Sequence, residues 1–105
     1  MTPRRSGFAA LVALGLVSAP AQAEMIQVIV DKLAFAPVDV NAKVGDTIEW
    51  INKDPFAHTA TATNGEWNVT LAPKQNGQLV LKAPGTTEYF CKYHPNMKGR
   101  VIVAP

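Results

Sequence analysis

The chain has 105 residues, with ten Lys or Arg against eight Asp or Glu, so its formal net charge at pH 7 is +2. This length allows one small domain, and the single cysteine excludes an intramolecular disulfide. The charge excess gives no support for nucleic-acid or membrane binding, because it comes from Arg4 and Arg5 and the rest of the chain is balanced.

The N-terminal segment has the pattern of a secretory signal peptide. Arg4-Arg5 is a positive segment, residues 8–17 are apolar, and Ala21-Gln22-Ala23 is an A-x-A cleavage site. We therefore expect a signal peptide over residues 1–23 and one domain over residues 24–105, exported to the periplasm. A retained membrane anchor is the alternative, although the apolar segment is short for a membrane span. The twin arginines leave the export route, general or twin-arginine, open.

From Met25 onwards the pattern predicts short β-strands. Apolar residues recur at strand spacing in segments such as residues 25–30 and 47–51, and turn signals such as Asn64-Gly65 and Ala83-Pro84-Gly85 separate these segments. No segment after the signal peptide has a long helical periodicity. We therefore predict an all-β fold, a Greek-key sandwich or barrel of about seven to eight strands.

The same pattern assigns places to several other side chains. Trp50 and Trp67 are expected in the core, because large aromatic side chains contribute most of the buried apolar area. Met25 is expected in the core or at the N-terminal edge. Asp46 and Glu49 are expected to be solvated charges at strand edges.

Residues with metal-binding side chains are concentrated near the C-terminus. Cys91, His94 and Met97 have the spacing C-x-x-H-x-x-M between two strand-like segments, and the only other histidine of the sequence is His58. A thiolate, two imidazoles and a thioether form a soft donor set that favours copper over magnesium, calcium or manganese. Two histidines and one cysteine with a long axial methionine are the recurring ligands of blue-copper sites. Because a sandwich can bring distant segments to one end, we predict that these four residues meet.

Three of these four residues also have an alternative role. Cys91 could be a buried inert thiol or could pair with another chain. His58 could cap a strand end, and Met97 could fill a gap in the core.

A zinc site could use three of the donors, although thioethers are not usual zinc ligands. A Cys/His hydrolase would need an acid or amide that orients His94 beside Cys91, and the sequence places none convincingly.

These motifs resemble the cupredoxin family of type 1 blue copper proteins. The similarity lies in residues 44–52 (V-G-D-T-I-E-W-I-N), in His58-Thr59, and in residues 87–103 (T-E-Y-F-C-K-Y-H-P-N-M-K-G-R-V-I-V), and it covers essentially all of residues 24–105. Within the amicyanin, plastocyanin and pseudoazurin group, the two-residue gaps of C-x-x-H-x-x-M are similar to the short amicyanin loop.

The resemblance implies a cupredoxin-like Greek-key β-sandwich with one copper ion. His58, Cys91 and His94 would be the equatorial ligands and Met97 the axial ligand. The implied function is a small periplasmic carrier, not an enzyme, that moves single electrons between redox partners through Cu(II)/Cu(I). A copper-binding or copper-delivery protein without an electron relay is the alternative.

The resemblance also implies how the carrier meets its partners. His94 would be the partly exposed ligand, surrounded by an apolar rim of Pro55, Phe56, Pro95 and Met97 on which transient redox proteins dock, since weak electron-transfer interfaces are small. We expect a monomer without nucleic-acid partners, and without membrane contact once the signal peptide is removed.

Thr59 is a departure from the family pattern. The family often has an asparagine directly after the first histidine ligand, and this asparagine helps to join the two ligand loops. The sequence leaves open whether Thr59 replaces it through its hydroxyl or its backbone, and this contact bears on the reduction potential.

Overall fold

The computed structural model describes residues 22–105, and every regular element in this range is a β-strand. The strands are β1 (Met25–Asp31), β2 (Ala34–Ala36), β3 (Asp39–Lys43), β4 (Thr47–Asn52), β5 (His58–Ala62), β6 (Asn68–Leu71), β7 (Asn76–Val80), β8 (Gly85–Cys91) and β9 (His94–Ala104). The predicted all-β class is confirmed, with nine strands instead of seven to eight. Residues 1–21 of the expected signal peptide lie outside the described residues. Within residues 22–105 no helix is long and apolar enough to cross a membrane.

The strands form two sheets packed as a sandwich. One sheet has the order β2-β1-β4-β7 and the other has the order β3-β9-β8-β5-β6. Most neighbours are antiparallel, but β1 pairs with β4, and β3 with β9, in parallel. Two parallel strands cannot be joined by a tight hairpin and need a longer crossover connection. Between β1 and β4 the chain forms β3 in the opposite sheet and then returns.

The core lies between the sheets because strand side chains alternate between the two faces. In β4, for example, Ile48 and Trp50 are fully buried. The other large buried side chains come from both sheets: Val28, Val30, Phe35, Val40, Leu71, Tyr89 and Val101. The prediction for Trp50 is confirmed, Trp67 is half-buried and packs against this core, and Met25 is 52% exposed.

Tyr89 fixes the packing of β8 near the C-terminal hairpin. Its hydroxyl accepts a hydrogen bond from Trp50 Nε1 at 3.2 Å, and its ring meets Phe35 edge-on at 4.8 Å between centroids. Burial raises the pKa of Tyr89 to about 12, against the opposing effect of the Trp50 hydrogen bond. Gly99 is its partner on β9, and a Cβ at that position would overlap the Tyr89 ring. Glycine is therefore required where the ring crosses the neighbouring strand.

Asp46 differs from its prediction as a solvated charge. Its side chain is buried, 1% exposed, because its carboxylate accepts the backbone N–H groups of Glu24 at 2.9 Å and Lys43 at 2.8 Å. These hydrogen bonds, with the nearby Lys43 charge, outweigh burial and hold the pKa of Asp46 below its usual value. Glu49, by contrast, is only half-buried and accepts a hydrogen bond from Gln27 on β1.

Candidate metal centre

Cys91 and His94 lie opposite each other across a tight hairpin. They are cross-strand partners at the ends of β8 and β9, so only Lys92 and Tyr93 form the turn between them. A register shift between Phe90 and Cys91 interrupts the ladder immediately before the turn, and such irregularities often re-aim a side chain next to a functional site. The sequence analysis placed Cys91, His94 and Met97 between two strands, but His94 and Met97 belong to β9, which already begins at His94.

His58 reaches the same place from the neighbouring strand. It is the first residue of β5, and β5 pairs with β8 through Thr61 opposite Phe90. This pairing lays the start of β5 beside the end of β8, which explains how a histidine 33 residues before Cys91 comes into contact with it.

The three donor atoms have the spacing of ligands that share one metal ion. Cys91 Sγ lies 3.7 Å from His58 Nδ1 and 3.7 Å from His94 Nδ1, and all three atoms are within 4.8 Å of one another. A metal ion bonded to sulfur at about 2.3 Å and to nitrogen at about 2.0 Å would place those donors about 3.5–3.7 Å apart at bond angles of about 110–120°. Met97 follows on β9 with its side chain 3% exposed.

The site is closed on the side of His58 and open on the side of His94. His58 and Cys91 are fully buried, whereas His94 is half-buried as predicted. Phe56, 43% exposed, packs edge-on against the His58 ring and lies 6.0 Å from the His94 ring between centroids. The expectation that Met97 belongs to the exposed rim is wrong, because its side chain is buried in the core.

Asp54 orients the His58 ring. Its Oδ2 lies 2.7 Å from His58 Nε2, and its carboxylate also accepts the backbone N–H groups of Lys32 at 2.8 Å and Leu33 at 3.2 Å. Burial alone would raise the pKa of Asp54, but these hydrogen bonds lower it below its usual value, so the group is ionised at neutral pH. A carboxylate can only accept, so Nε2 carries the proton, and Nδ1 presents its lone pair towards Cys91.

Thr59 takes both roles that the sequence left open. Its backbone N–H donates to Cys91 Sγ at 3.4 Å, and its hydroxyl oxygen accepts the backbone N–H of Lys92 at 2.9 Å. The hydroxyl also lies 2.9 Å from that of Thr61, which donates to Asn68 Oδ1 at 2.5 Å. The hairpin turn, β5 and β6 are therefore joined by one chain of hydrogen bonds.

Sequence reasoning missed Asp54. The signal that could have found it is an acidic residue four positions before a candidate histidine ligand, in the segment Asn52-Lys53-Asp54-Pro55 that ends β4. Metal-binding histidines usually donate their second ring N–H to a carboxylate or a carbonyl, so a nearby aspartate is an expected partner.

The sandwich and this donor set are those of a cupredoxin-like protein. The chain matches the Cupredoxin-like domain family over residues 7–103 and belongs to that family. The resemblance found in the sequence is confirmed, and copper is the cofactor that the family and the donor set indicate.

Similar proteins include amicyanins and plastocyanins. Amicyanin-alpha of Methylorubrum extorquens is 33% identical over 89 residues, which span 79% of this chain and 75% of that protein. Amicyanin of Paracoccus denitrificans is 30% identical over 84 residues, spanning 74% of this chain and 64% of that protein. Plastocyanin of Scenedesmus fuscus is 30% identical over 86 residues, spanning 68% and 87%. The solved structure of amicyanin from Paracoccus versutus has a TM-score of 0.67 and 29% identity, covering 82% of this chain and 85% of that one.

Proposed function

We propose that this protein is an exported type 1 copper protein that carries single electrons between transient redox partners. The proposed ligands are His58, Cys91, His94 and Met97. The observation that carries the proposal is the contact of Cys91 Sγ with both Nδ1 atoms at 3.7 Å, which joins two distant segments at one point. Bound copper supplies a one-electron Cu(II)/Cu(I) couple at this donor set.

The surrounding residues hold the donors in one arrangement. Asp54 fixes the His58 ring, and Thr59 ties the sulfur and the hairpin turn to β5. Because the ligands belong to strands and not to a long loop, they move little when the charge of the site changes. A small rearrangement lowers the barrier to electron transfer, which is the property that a carrier needs.

His94 is the proposed point of electron exchange, because it is the one partly exposed residue among the four proposed ligands. Phe56, with its ring 6.0 Å from that of His94, is exposed, as are its sequence neighbour Pro55 and the residue after His94, Pro95. Tyr93, 58% exposed, lies in the adjoining turn. A small apolar surface of this kind suits brief docking of a redox protein. With four protein ligands the site keeps no open position for a substrate, so we assign no enzymatic activity.

The proposed location is the periplasm, after removal of residues 1–23. The domain over residues 24–105 then acts as a monomer without nucleic-acid or membrane contacts. N-terminal sequencing of the protein recovered from the periplasm of an expressing bacterium tests this part, and we expect Glu24 as the first residue. Recovery of the whole chain in the membrane fraction would contradict it.

The visible spectrum of the copper-loaded mature protein tests the function. We expect an intense thiolate-to-Cu(II) band at one copper per chain, which disappears on reduction and returns on oxidation. Cys91→Ala should abolish the band, and Met97→Leu should keep the band but change the reduction potential. Met25→Leu is the matched control, because Met25 is exposed on β1 and should leave both unchanged. A colourless protein that binds only Cu(I) would favour copper delivery instead.

A further inference from the structure

The first residue of the proposed mature domain is held by a buried carboxylate. Asp46 Oδ1 accepts the backbone N–H of Glu24 at 2.9 Å, while Oδ2 accepts that of Lys43 at 2.8 Å. The Glu24 carbonyl in turn accepts the backbone N–H of Thr47 at 2.9 Å. Glu24 is therefore fixed at its nitrogen and at its carbonyl, immediately before β1 begins.

The turn that carries Asp46 is fixed independently of Glu24. The backbone N–H of Leu81 donates to the Asp46 carbonyl at 2.8 Å, and that of Gly45 donates to the Leu81 carbonyl at 2.8 Å. Val44 donates to the Ala104 carbonyl at 3.0 Å. Because the segment after β7 and the C-terminal strand hold this turn in place, the carboxylate is preformed as an acceptor for the chain start.

We propose that Asp46 is the binding site for the α-ammonium group that appears on Glu24 when the signal peptide is removed. This inference rests on the cleavage after Ala23 that is part of the proposed function. Gln22 and Ala23 are exposed and outside any strand, so the bond between Ala23 and Glu24 is at the surface. The site gives the processed chain an ion pair that the precursor lacks.

The chemistry of cleavage explains the change. A signal peptidase hydrolyses the Ala23–Glu24 amide: the oxygen of water joins the Ala23 carbonyl carbon and the C–N bond breaks. Ala23 leaves as a carboxylate, and the two protons of the water go to the Glu24 nitrogen, which becomes an ammonium group. Before cleavage this nitrogen is a neutral amide that donates one hydrogen to Asp46. Afterwards it is a cation beside a buried carboxylate, and charge-assisted hydrogen bonds are roughly twice as strong as neutral ones.

Strand β1 is held at both ends by buried aspartates. Its start is held by Asp46 through Glu24, and the turn after its end is held by Asp54 through Lys32 and Leu33. Asp54 also contacts His58. Cleavage therefore strengthens the attachment of a strand whose other end is tied to the copper site, and the protein reaches full stability only after export.

The test compares two forms of the mature protein that differ at one atom group. Residues 24–105 are prepared with a free Glu24 amine and with an acetylated amine, which keeps the N–H donor but removes the charge. Thermal unfolding is followed at pH 6.5 with and without copper. We expect the unfolding temperature of the acetylated form to be about 3–6 °C lower, which is the shift that a modest loss of stability produces in a domain of this size.

Two variants assign the difference to Asp46. In Asp46→Asn the difference in unfolding temperature between the free and acetylated forms, here called the gap, should shrink to less than about 1 °C. Without the negative charge of Asp46, the ammonium group has no ion pair to form. Glu66→Gln removes an exposed carboxylate in the turn between β5 and β6 and should leave the gap unchanged. If Asp46→Asn does not fold, the 13C shift of the Asp46 carboxyl carbon is compared between the two forms of the unsubstituted protein, and we expect it to differ.

Three results would overturn the inference: equal unfolding temperatures for the two forms, a gap that persists in Asp46→Asn, or an unchanged Asp46 carboxyl shift. None of these readouts uses colour or reduction potential. A blue protein without the gap therefore refutes this inference alone, and a colourless protein with the gap refutes the proposed function alone. A different N-terminal residue on the exported protein would refute the cleavage on which the inference rests.

Discussion

Replacing Asp54 with alanine should weaken both the fold and copper binding. The substitution removes the acceptor of three hydrogen bonds, to His58 Nε2 and to the backbone N–H groups of Lys32 and Leu33. His58 is fully buried, so its N–H cannot turn to water, and leaving it unpaired costs roughly 1–3 kcal/mol. Lys32 and Leu33 are exposed residues whose N–H groups can bind water, which limits their share to about 0.5–1 kcal/mol each. We therefore expect the copper-free protein to lose about 2–5 kcal/mol of unfolding free energy.

Urea denaturation of the copper-free protein measures the stability, and competition with a coloured Cu(I) chelator measures the affinity. We expect a loss of affinity of about 10–100-fold, as is typical when the partner of a metal-binding histidine is removed. Asp54→Asn retains one acceptor oxygen, so its stability and copper affinity should lie between those of the wild type and Asp54→Ala. Asp39→Asn is the matched control: it breaks an exposed 2.8 Å ion pair with Arg100 and should cost less than about 1 kcal/mol. Wild-type stability and affinity in Asp54→Ala would refute the assigned role.

Three further predictions follow from the same contacts. Thr59→Val removes the hydroxyl that accepts the backbone N–H of Lys92 in the hairpin turn. It should lower stability by about 1–2 kcal/mol and change the reduction potential measured by voltammetry. Thr59→Ser keeps a hydroxyl and should keep the wild-type stability and potential. Tyr89→Phe leaves the buried Trp50 N–H without an acceptor and should cost about 1–3 kcal/mol in urea denaturation, with the visible spectrum unchanged; an altered spectrum would contradict this separation of core and site. The pKa values of Asp46 and Asp54 lie below the usual range, so the stability they supply is present above about pH 4 and is lost as pH falls through their folded-state values. Urea denaturation at stepped pH should show this loss, with a smaller slope in Asp46→Asn.

The sequence predicted the fold class and the meeting of three donors because both depend on patterns of residue type. Alternating apolar residues require a two-layer β structure. Cys91 and His94 are close in the chain, so any hairpin there brings them together. The prediction that His58 joins them rested on the donor set and on the ability of a sandwich to bring distant segments to one end, since nothing in its local sequence specifies which strand ends lie side by side.

The hydrogen bonds of the buried aspartates could not be predicted in the same way. Asp46 was expected to be a solvated charge at a strand edge, because charged side chains are rarely buried. Its burial depends on two backbone donors, one of them 22 residues away at Glu24. Asp54 likewise accepts from a turn that lies 22 residues earlier in the chain. Contacts of this kind depend on strand register, which a pattern of residue types does not specify.

The burial of Met97 shows a further limit. The sequence placed it both as a ligand and in the exposed rim, and the spacing C-x-x-H-x-x-M fits either. The alternation of β9 excludes the exposed rim, because Met97, Gly99 and Val101 point to the interior while Asn96 and Lys98 are exposed. That alternation follows only from a strand that begins at His94, and the spacing alone does not specify where the strand begins.

The Cys91–His94 turn allows the spacing of two proposed copper ligands to change without a change in the rest of the fold. Two of the proposed ligands face each other across two residues, so an insertion between them would alter ligand spacing while both sheets and His58 stay as they are. The same property makes Lys92 and Tyr93 the natural place to graft a foreign turn into this scaffold.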